Sequence, residues 1–264
     1  MNTLKKGCKG EDVIYLQRLL CELGYFVAID GDFGKGTDEA VRRFQKDANL
    51  KDDGLVGNNT WAALESRRTV ADGFTLNFEK AANTLNVDIA AIRAVHQVES
   101  GGRSGFLPDG RPEILFEGHC FWGQLKLMGM DPVSLRAGNE DILYPLWDMS
   151  YYKGKAGEYV RLNRASVICH EAALMSASWG MFQIMGFNHR LCGYDSVYKF
   201  CASMYLGSDN QLQAFVSFLL NTGLDVPLRE LNWAKFALGY NGARYEENCY
   251  DGKLAAAYNQ FKQV

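Results

Sequence analysis

Residues 95–102 read V-H-Q-V-E-S-G-G, and the place of Glu99 within them decides how the longer part of the chain folds and works. Asp88 is suited to cap a helix carrying Ile89, Ile92, Val95 and Val98, and Gly101 is suited to stop it. At about 100° per residue from Ile89, Ile92 falls near roughly 300°, Val95 near roughly 240° and Glu99 near roughly 280°. The carboxylate therefore lies between two apolar side chains on the buried face. Burial disfavours its charged form and raises its pKa, and an acid that holds its proton near neutral pH can give it to a departing oxygen. A structural Glu at a helix end, paired to an Arg or to the free amides of a neighbouring helix, fits the same position.

The chain around this helix has 264 residues, 47% of them hydrophobic, enough for one large domain or for a large and a small one. Its net charge of −3 comes from interspersed acids and bases with no basic stripe, which argues against nucleic acid as a partner. No apolar stretch follows the basic residues of MNTLKKGCKGEDV, and no window reaches the ~18 apolar residues of a membrane span. The sequence thus predicts a protein made in the cytoplasm and not inserted in a membrane. Seven cysteines, an odd number without a C-x-x-C pair, predict reduced thiols packed as small apolar residues.

The first 66 residues contain an echo. D-G-D-F-G-K-G-T at 30–37 returns as D-G-L-V-G-N-N-T at 53–60, with Asp, Gly, Gly and Thr at matching offsets. Asp-Gly suits a tight turn, and Thr37 or Thr60 suits the N-cap of the helix that follows. Val13, Leu16, Leu20 and Leu23 mark one helical face, Ala40, Val41 and Phe44 a second, and a third helix is expected around Trp61 to Leu64. The G-K-G-T string is not a phosphate loop, because that motif needs Gly-Lys-Ser/Thr in succession after a buried strand. Leu4, Gly7, Gly10, Val13, Leu16, Gln17 and Leu20, followed by the two D-G-x-x-G turns, T-x-x-A-V-x-x-F-Q and T-W-x-x-L, resemble the three-helix peptidoglycan-binding module. The resemblance spans residues 1–66; periodicity then lapses, and a linker is expected at 67–73 before a second domain at 74–264.

That second domain carries three ordered motifs: Glu99-Ser100-Gly101, then G-M-F-Q-I-M at 180–185, then Tyr240-Asn241-Gly242. Their order is similar to the goose-type lysozyme and soluble lytic transglycosylase superfamily. The longer strings R-P-E-I-L-F-E-G-H (111–119), A-S-W-G-M-F-Q-I-M-G (177–186) and W-A-K-F-A-L-G-Y-N-G (233–242) more closely resemble the N-acetylmuramidase domain of modular bacteriophage endolysins. Gly118 departs from that pattern, which has Arg there. The E-S-G-G string lacks the G-x-S-x-G elbow of a nucleophilic serine.

The resemblance implies a mainly α protein, with an α-rich lysozyme-like domain and at most a small β-sheet. Stripes at Leu212, Phe215, Val216 and Leu219 and at Trp233, Phe236 and Ala237 agree with that class. It further implies that Glu99 protonates the β-1,4 linkage after N-acetylmuramic acid. A second carboxylate usually assists from the other face. Glu117, at the end of the apolar run Ile114-Leu115-Phe116, is the candidate; Glu113 is its rival, and ordering His119 or a loop is the alternative role of Glu117. Without such a carboxylate the substrate's own N-acetyl or 6-hydroxyl group would complete the reaction, the 6-hydroxyl giving a 1,6-anhydro sugar by the lytic-transglycosylase route.

Ser178, Gln183, Tyr240 and Asn241 are expected to contact substrate, or else to cap helices and bond within the core beside the cleft; Tyr240 is also placed to brace Glu99. No metal and no cofactor is expected, since His170-Glu171 lacks the second His of a zincin helix. A wall-binding protein without catalysis is the non-enzymatic alternative. The endolysin resemblance also implies a monomer acting on glycan strands, held in the cytoplasm of a Gram-negative host until a holin opens the inner membrane.

Overall fold

The computed structural model describes residues 2–67 and 76–263 apart from 26, 28 and 30. Three helices form the N-terminal module: α1 (Glu11–Glu22), α2 (Lys35–Asp47) and α3 (Asn58–Arg67). The rest contains α4 (Phe78–Leu85), α5 (Ile89–Ser100), β1 (Ile114–Phe116), α6 (Gly118–Leu127), α7 (Ala156–Ile168) and α8 (His170–Met175). Strands β2 (Ala177–Trp179) and β3 (Ile184–Met185) come next. Helices α9 (Val197–Tyr205), α10 (Ser208–Thr222), α11 (Asp225–Arg229), α12 (Trp233–Asn241) and α13 (Tyr250–Lys262) complete the chain. The protein is mainly α, with one small antiparallel sheet among the described residues, ordered β1-β2-β3.

The repeated motif is one bonding device used twice. In the first copy the Gln17 side chain accepts from the Gly31 amide at 2.9 Å and donates to the Asp32 carbonyl and the Thr37 hydroxyl. In the second, Gln45 accepts from the Gly54 amide at 2.9 Å and donates to the Leu55 carbonyl and the Thr60 hydroxyl. Each buried glutamine thus satisfies a turn that would otherwise enclose unpaired backbone groups. The two threonines lie inside the first turns of α2 and α3, where they accept from these glutamines. The cap of α2 is Gly34, so capping, the role expected for Thr37, is displaced by a buried amide that needs an acceptor.

Among the described residues two hydrophobic clusters are present, one within residues 4–64 and one within residues 81–254. They meet where α1 packs on α9, and Tyr205 packs against both. Cys21 of α1 and Cys201 of α9 are fully buried free thiols near this seam, Cys21 Sγ donating to the Val27 carbonyl at 3.4 Å, and close enough that a negative charge on Cys21 would disfavour one on Cys201. The expected linker falls outside the described residues, except that Arg67 closes α3.

In the larger part, α5 begins as its sequence requires: Asp88 Oδ1 accepts from the Ala90 amide at 3.0 Å, and Gly101 ends the helix in the left-handed conformation, φ 63°. Asp88 also takes Tyr258 Oη at 3.1 Å and the Lys262 ammonium, which fastens α13 beside α5. In the sheet, Leu115 faces Ser178 and Trp179 faces Ile184. No helix among the described residues is long and apolar enough to cross a membrane.

Gly118, at the start of α6, follows from its surroundings. A Cβ there would overlap the Tyr144 ring and crowd the Ile142 carbonyl at 2.8 Å, while the Gly118 amide donates to Tyr144 Oη at 3.2 Å. Tyr144 therefore occupies the space that an Arg side chain would leave through. Gly118→Arg is expected to destabilise by about 1–3 kcal/mol through overpacking, read as a fall in melting temperature that Gly118→Arg combined with Tyr144→Ala reduces.

Candidate active site

A cleft of about 310 Å³ is lined by Glu99, Arg103, Leu107, Glu113, Ile114, Leu115, Gly154, Lys155, Gly180, Met181 and Gln183. Helix α5 delivers Glu99 to it at its last turn, with Ile92 and Val95 fully buried beneath. Glu99 is half-buried as a residue, but its Oε1 is sealed from water and has no hydrogen-bond partner. Burial alone raises its pKa to about 8. The carboxyl group therefore keeps its proton at neutral pH, the state a general acid needs.

The backbone around Glu113 joins the walls of the cleft. Its amide donates to the Gly105 carbonyl at 2.7 Å, and its carbonyl accepts from the Gly180 amide at 2.8 Å. Its side chain pairs with Arg103 at 3.3 Å across the cleft mouth. Helix α10 pins both walls from behind: Ser208 Oγ donates to the Ser104 carbonyl at 2.9 Å, and Gln211 Oε1 accepts from the Met181 amide at 2.8 Å. A Cβ on Gly105 would collide with Gln211 and Met181, so the walls approach this closely only with glycine there.

Glu117 sits at the other end of β1 and is absent from the cleft lining. Its two oxygens accept from Tyr152 Oη at 2.8 and 2.7 Å, and His119 Nδ1 lies 3.3 Å from Oε2. Burial raises its pKa against the lowering effect of the Tyr152 bond and of His119. These contacts tie Glu117 to the segment that ends in the Gly154-Lys155 wall.

Gln183 is brought to the cleft in the left-handed conformation, φ 47°. Both ends of its amide are engaged: Oε1 accepts from Ser178 Oγ at 2.8 Å and Nε2 donates to the Gly180 carbonyl at 2.7 Å. Ser178 is buried behind it on β2. Tyr240 donates to the Phe182 carbonyl at 2.7 Å, so its single hydroxyl proton steadies the 180–183 turn and is not available to Glu99. Asn241 is exposed at the end of α12 and does not line the cleft.

Glu158 and Arg161 were missed by sequence reasoning, in which they look like two surface charges three apart on α7. They form a buried pair at 2.8 Å, with side chains 1% and 2% exposed, low enough that each needs its partner. Glu158 Oε1 accepts from the Lys153 and Gly154 amides at 2.6 and 2.8 Å, and Oε2 accepts from the Phe116 amide at 3.2 Å. Arg161 donates to the Phe116 carbonyl at 2.7 Å, to the Asp141 carbonyl and to Tyr144 Oη. Together they fix strand β1 against the 153–155 turn. Lys155, last in that turn, holds φ 48° and ψ −131°, a conformation that costs a residue with a side chain about 1–3 kcal/mol.

Among the described residues no group of three or more His, Cys, Asp or Glu is placed to hold a metal ion. His96 Nε2 donates to the Arg103 carbonyl at 2.9 Å, and His189 Nδ1 donates to the Gly186 carbonyl at 3.1 Å, so these two rings serve the fold.

Comparison with known proteins agrees with this geometry. The family model described as N-acetylmuramidase matches residues 88–262, and a peptidoglycan binding domain model matches residues 9–64. The crystal structure of the Burkholderia AP3 phage endolysin is 42% identical, covers 100% of both chains and superposes with a TM-score of 0.67. The spore cortex-lytic enzyme of Oceanobacillus iheyensis is 47% identical over 58 residues, 22% of this chain and 21% of that protein. That of Bacillus cereus is 45% identical over 84 residues, 31% and 32% of the two lengths. The chain thus spans only a fifth to a third of these curated relatives. With the family match covering the cleft, Glu99 and the helices that carry them, the chain belongs to the N-acetylmuramidase family of glycoside hydrolases, preceded by a peptidoglycan-binding domain.

Proposed function

We propose that this chain is an endolysin that hydrolyses the β-1,4 bond between N-acetylmuramic acid and N-acetylglucosamine, with Glu99 as general acid. In this reading residues 1–66 hold the wall, residues 74–264 cut it, and 67–73 connect them. The observation that carries it is the sealed, unpartnered oxygen of Glu99 at the base of a cleft, a carboxyl group whose protonated form is favoured until a leaving oxygen arrives. The endolysin neighbour, matched over its whole length, supports a phage origin and a role in host lysis. The protein then acts as a monomer, waits in the host cytoplasm and reaches the wall after a holin opens the inner membrane.

Mass spectrometry of digested peptidoglycan tests the reaction. Hydrolysis leaves new reducing muramic acid ends, whereas 1,6-anhydro ends would overturn the assignment.

The second carboxylate is separable by chemical rescue. Glu113 shares the cleft with Glu99, while Glu117 acts on the cleft through Tyr152 and the segment behind it. Alanine at either position is expected to lower turnover about a hundred-fold or more. Azide restores it only at Glu113→Ala, where the small anion replaces a group facing the sugar. Rescue at Glu117→Ala instead would return the second catalytic role to Glu117.

A further inference from the structure

Lys155 brings together three observations that the acid and its partner carboxylate do not explain. It lines the same cleft as Glu99. Its backbone occupies a region where glycine rests without strain and a side chain does not, directly after Gly154 at φ 67°. Its side chain is exposed and makes no ion pair with any described residue.

The strain is imposed from below, because Glu158 takes the amides of Lys153 and Gly154 and thereby sets the turn before Lys155 is reached. A glycine would satisfy that turn at lower energy, yet a lysine stands there. An observed outlier of this kind, held by its surroundings at the edge of a cleft, marks a side chain kept for contact with ligand.

The charge balance says what ligand. Arg103 and Glu113 neutralise each other at 3.3 Å, and Glu99 is uncharged while it holds its proton, so Lys155 is left as the uncompensated cation among the lining residues. Of the two sugars in peptidoglycan, N-acetylglucosamine is neutral. The muramic acid unit carries the carboxylates, on its lactyl group or on the peptide stem attached there.

We propose that Lys155 is a specificity-determining residue that pairs with a carboxylate borne by the N-acetylmuramic acid unit in the cleft, a proposal that rests on the muramidase reading. The test uses the full-length protein and two substrates, peptidoglycan and stem-free glycan strands, each native and with its carboxylates amidated by methylamine. Wild-type protein is expected to lose about ten-fold in kcat/KM on amidation, the weight of one charge-assisted hydrogen bond. Lys155→Gln loses that factor on native substrate and no longer distinguishes native from amidated.

Lys155→Gly guards against misfolding. It relieves the backbone, so its melting temperature should rise above wild type while its discrimination disappears. If either variant keeps the wild-type ratio of native to amidated rates, the proposal is overturned. A preference that persists on stem-free strands assigns the lactyl carboxylate, and one that is confined to stem-bearing material assigns the stem; both support the pairing. The ratio is read from the rate of solubilisation and the muramidase reading from the chemistry of the new ends, so each fails separately.

Discussion

Glu99→Gln will abolish bond cleavage, leave wall binding intact and make the protein more stable at neutral pH. Glutamine matches the shape of the acid without its proton, and the loss of a positioned general acid removes about 10²–10⁴-fold in rate. The stability gain follows from linkage. Folding raises the Glu99 pKa from 4.5 to about 8, so the folded state holds a proton that the unfolded chain has released. Below pH ~4.5 both states are protonated and the substitution is neutral. Between pH ~4.5 and ~8 wild type loses stability as pH rises, and above pH ~8 the loss is complete.

Since the cleft admits some water to the group, the gap at pH ~7.5 is expected on the order of 2–3 kcal/mol. Turbidity assays on wall fragments, pelleting with intact walls and melting curves from pH 4 to 9 read the three parts. Wild-type kcat/KM should also fall as pH rises through about 8. A variant that still lyses walls, or a melting-temperature difference independent of pH, would remove Glu99 from the role of buried acid.

Arg161→Met will be the most damaging single change away from the acid. It leaves Glu158 charged and enclosed, and it leaves the Phe116 and Asp141 carbonyls without the guanidinium that satisfies them. Breaking a buried pair from one side costs about 3–5 kcal/mol, a fall of about 10 °C in melting temperature for a chain of this size. Changing Glu158 to Gln in the same molecule should recover part of the loss, because a neutral pair has no stranded charge. Calorimetry of the two single variants and the double variant measures this coupling. Costs below about 1 kcal/mol would mean that the pair is hydrated, contrary to its enclosure.

Helix α5 was readable because its signals are local. Asp88 caps, Ile92 and Val95 set the buried face, and Gly101 stops the helix within two residues of Glu99. The same holds for α10, whose stripe of Leu212, Phe215, Val216 and Leu219 is buried as its spacing requires, and for the short strand at Ile114–Phe116.

What escaped the sequence depends on partners distant along the chain. Glu158 and Arg161 have the spacing of a solvent-exposed helical pair, and only the backbone of residues 116, 141, 153 and 154 makes them internal. Gln211 did leave a trace, a polar residue on the apolar stripe of α10, and its carbonyl oxygen on the Met181 amide is the reason. The contacts of Tyr240 and Gln183 ran opposite to a simple picture of substrate-binding side chains. Both have their polar atoms engaged within the turn that shapes the cleft, and a motif cannot tell binding a sugar from holding the loop that binds it.

The seam between α1 and α9 makes two thiols into reporters of motion. Cys21 and Cys201 have no accessible surface, so an alkylating reagent reaches Cys201 only when the larger half breathes or the two halves part. Labelling kinetics at these two sites, read apart from the five other free thiols, would therefore time the opening of the molecule with no new residue introduced.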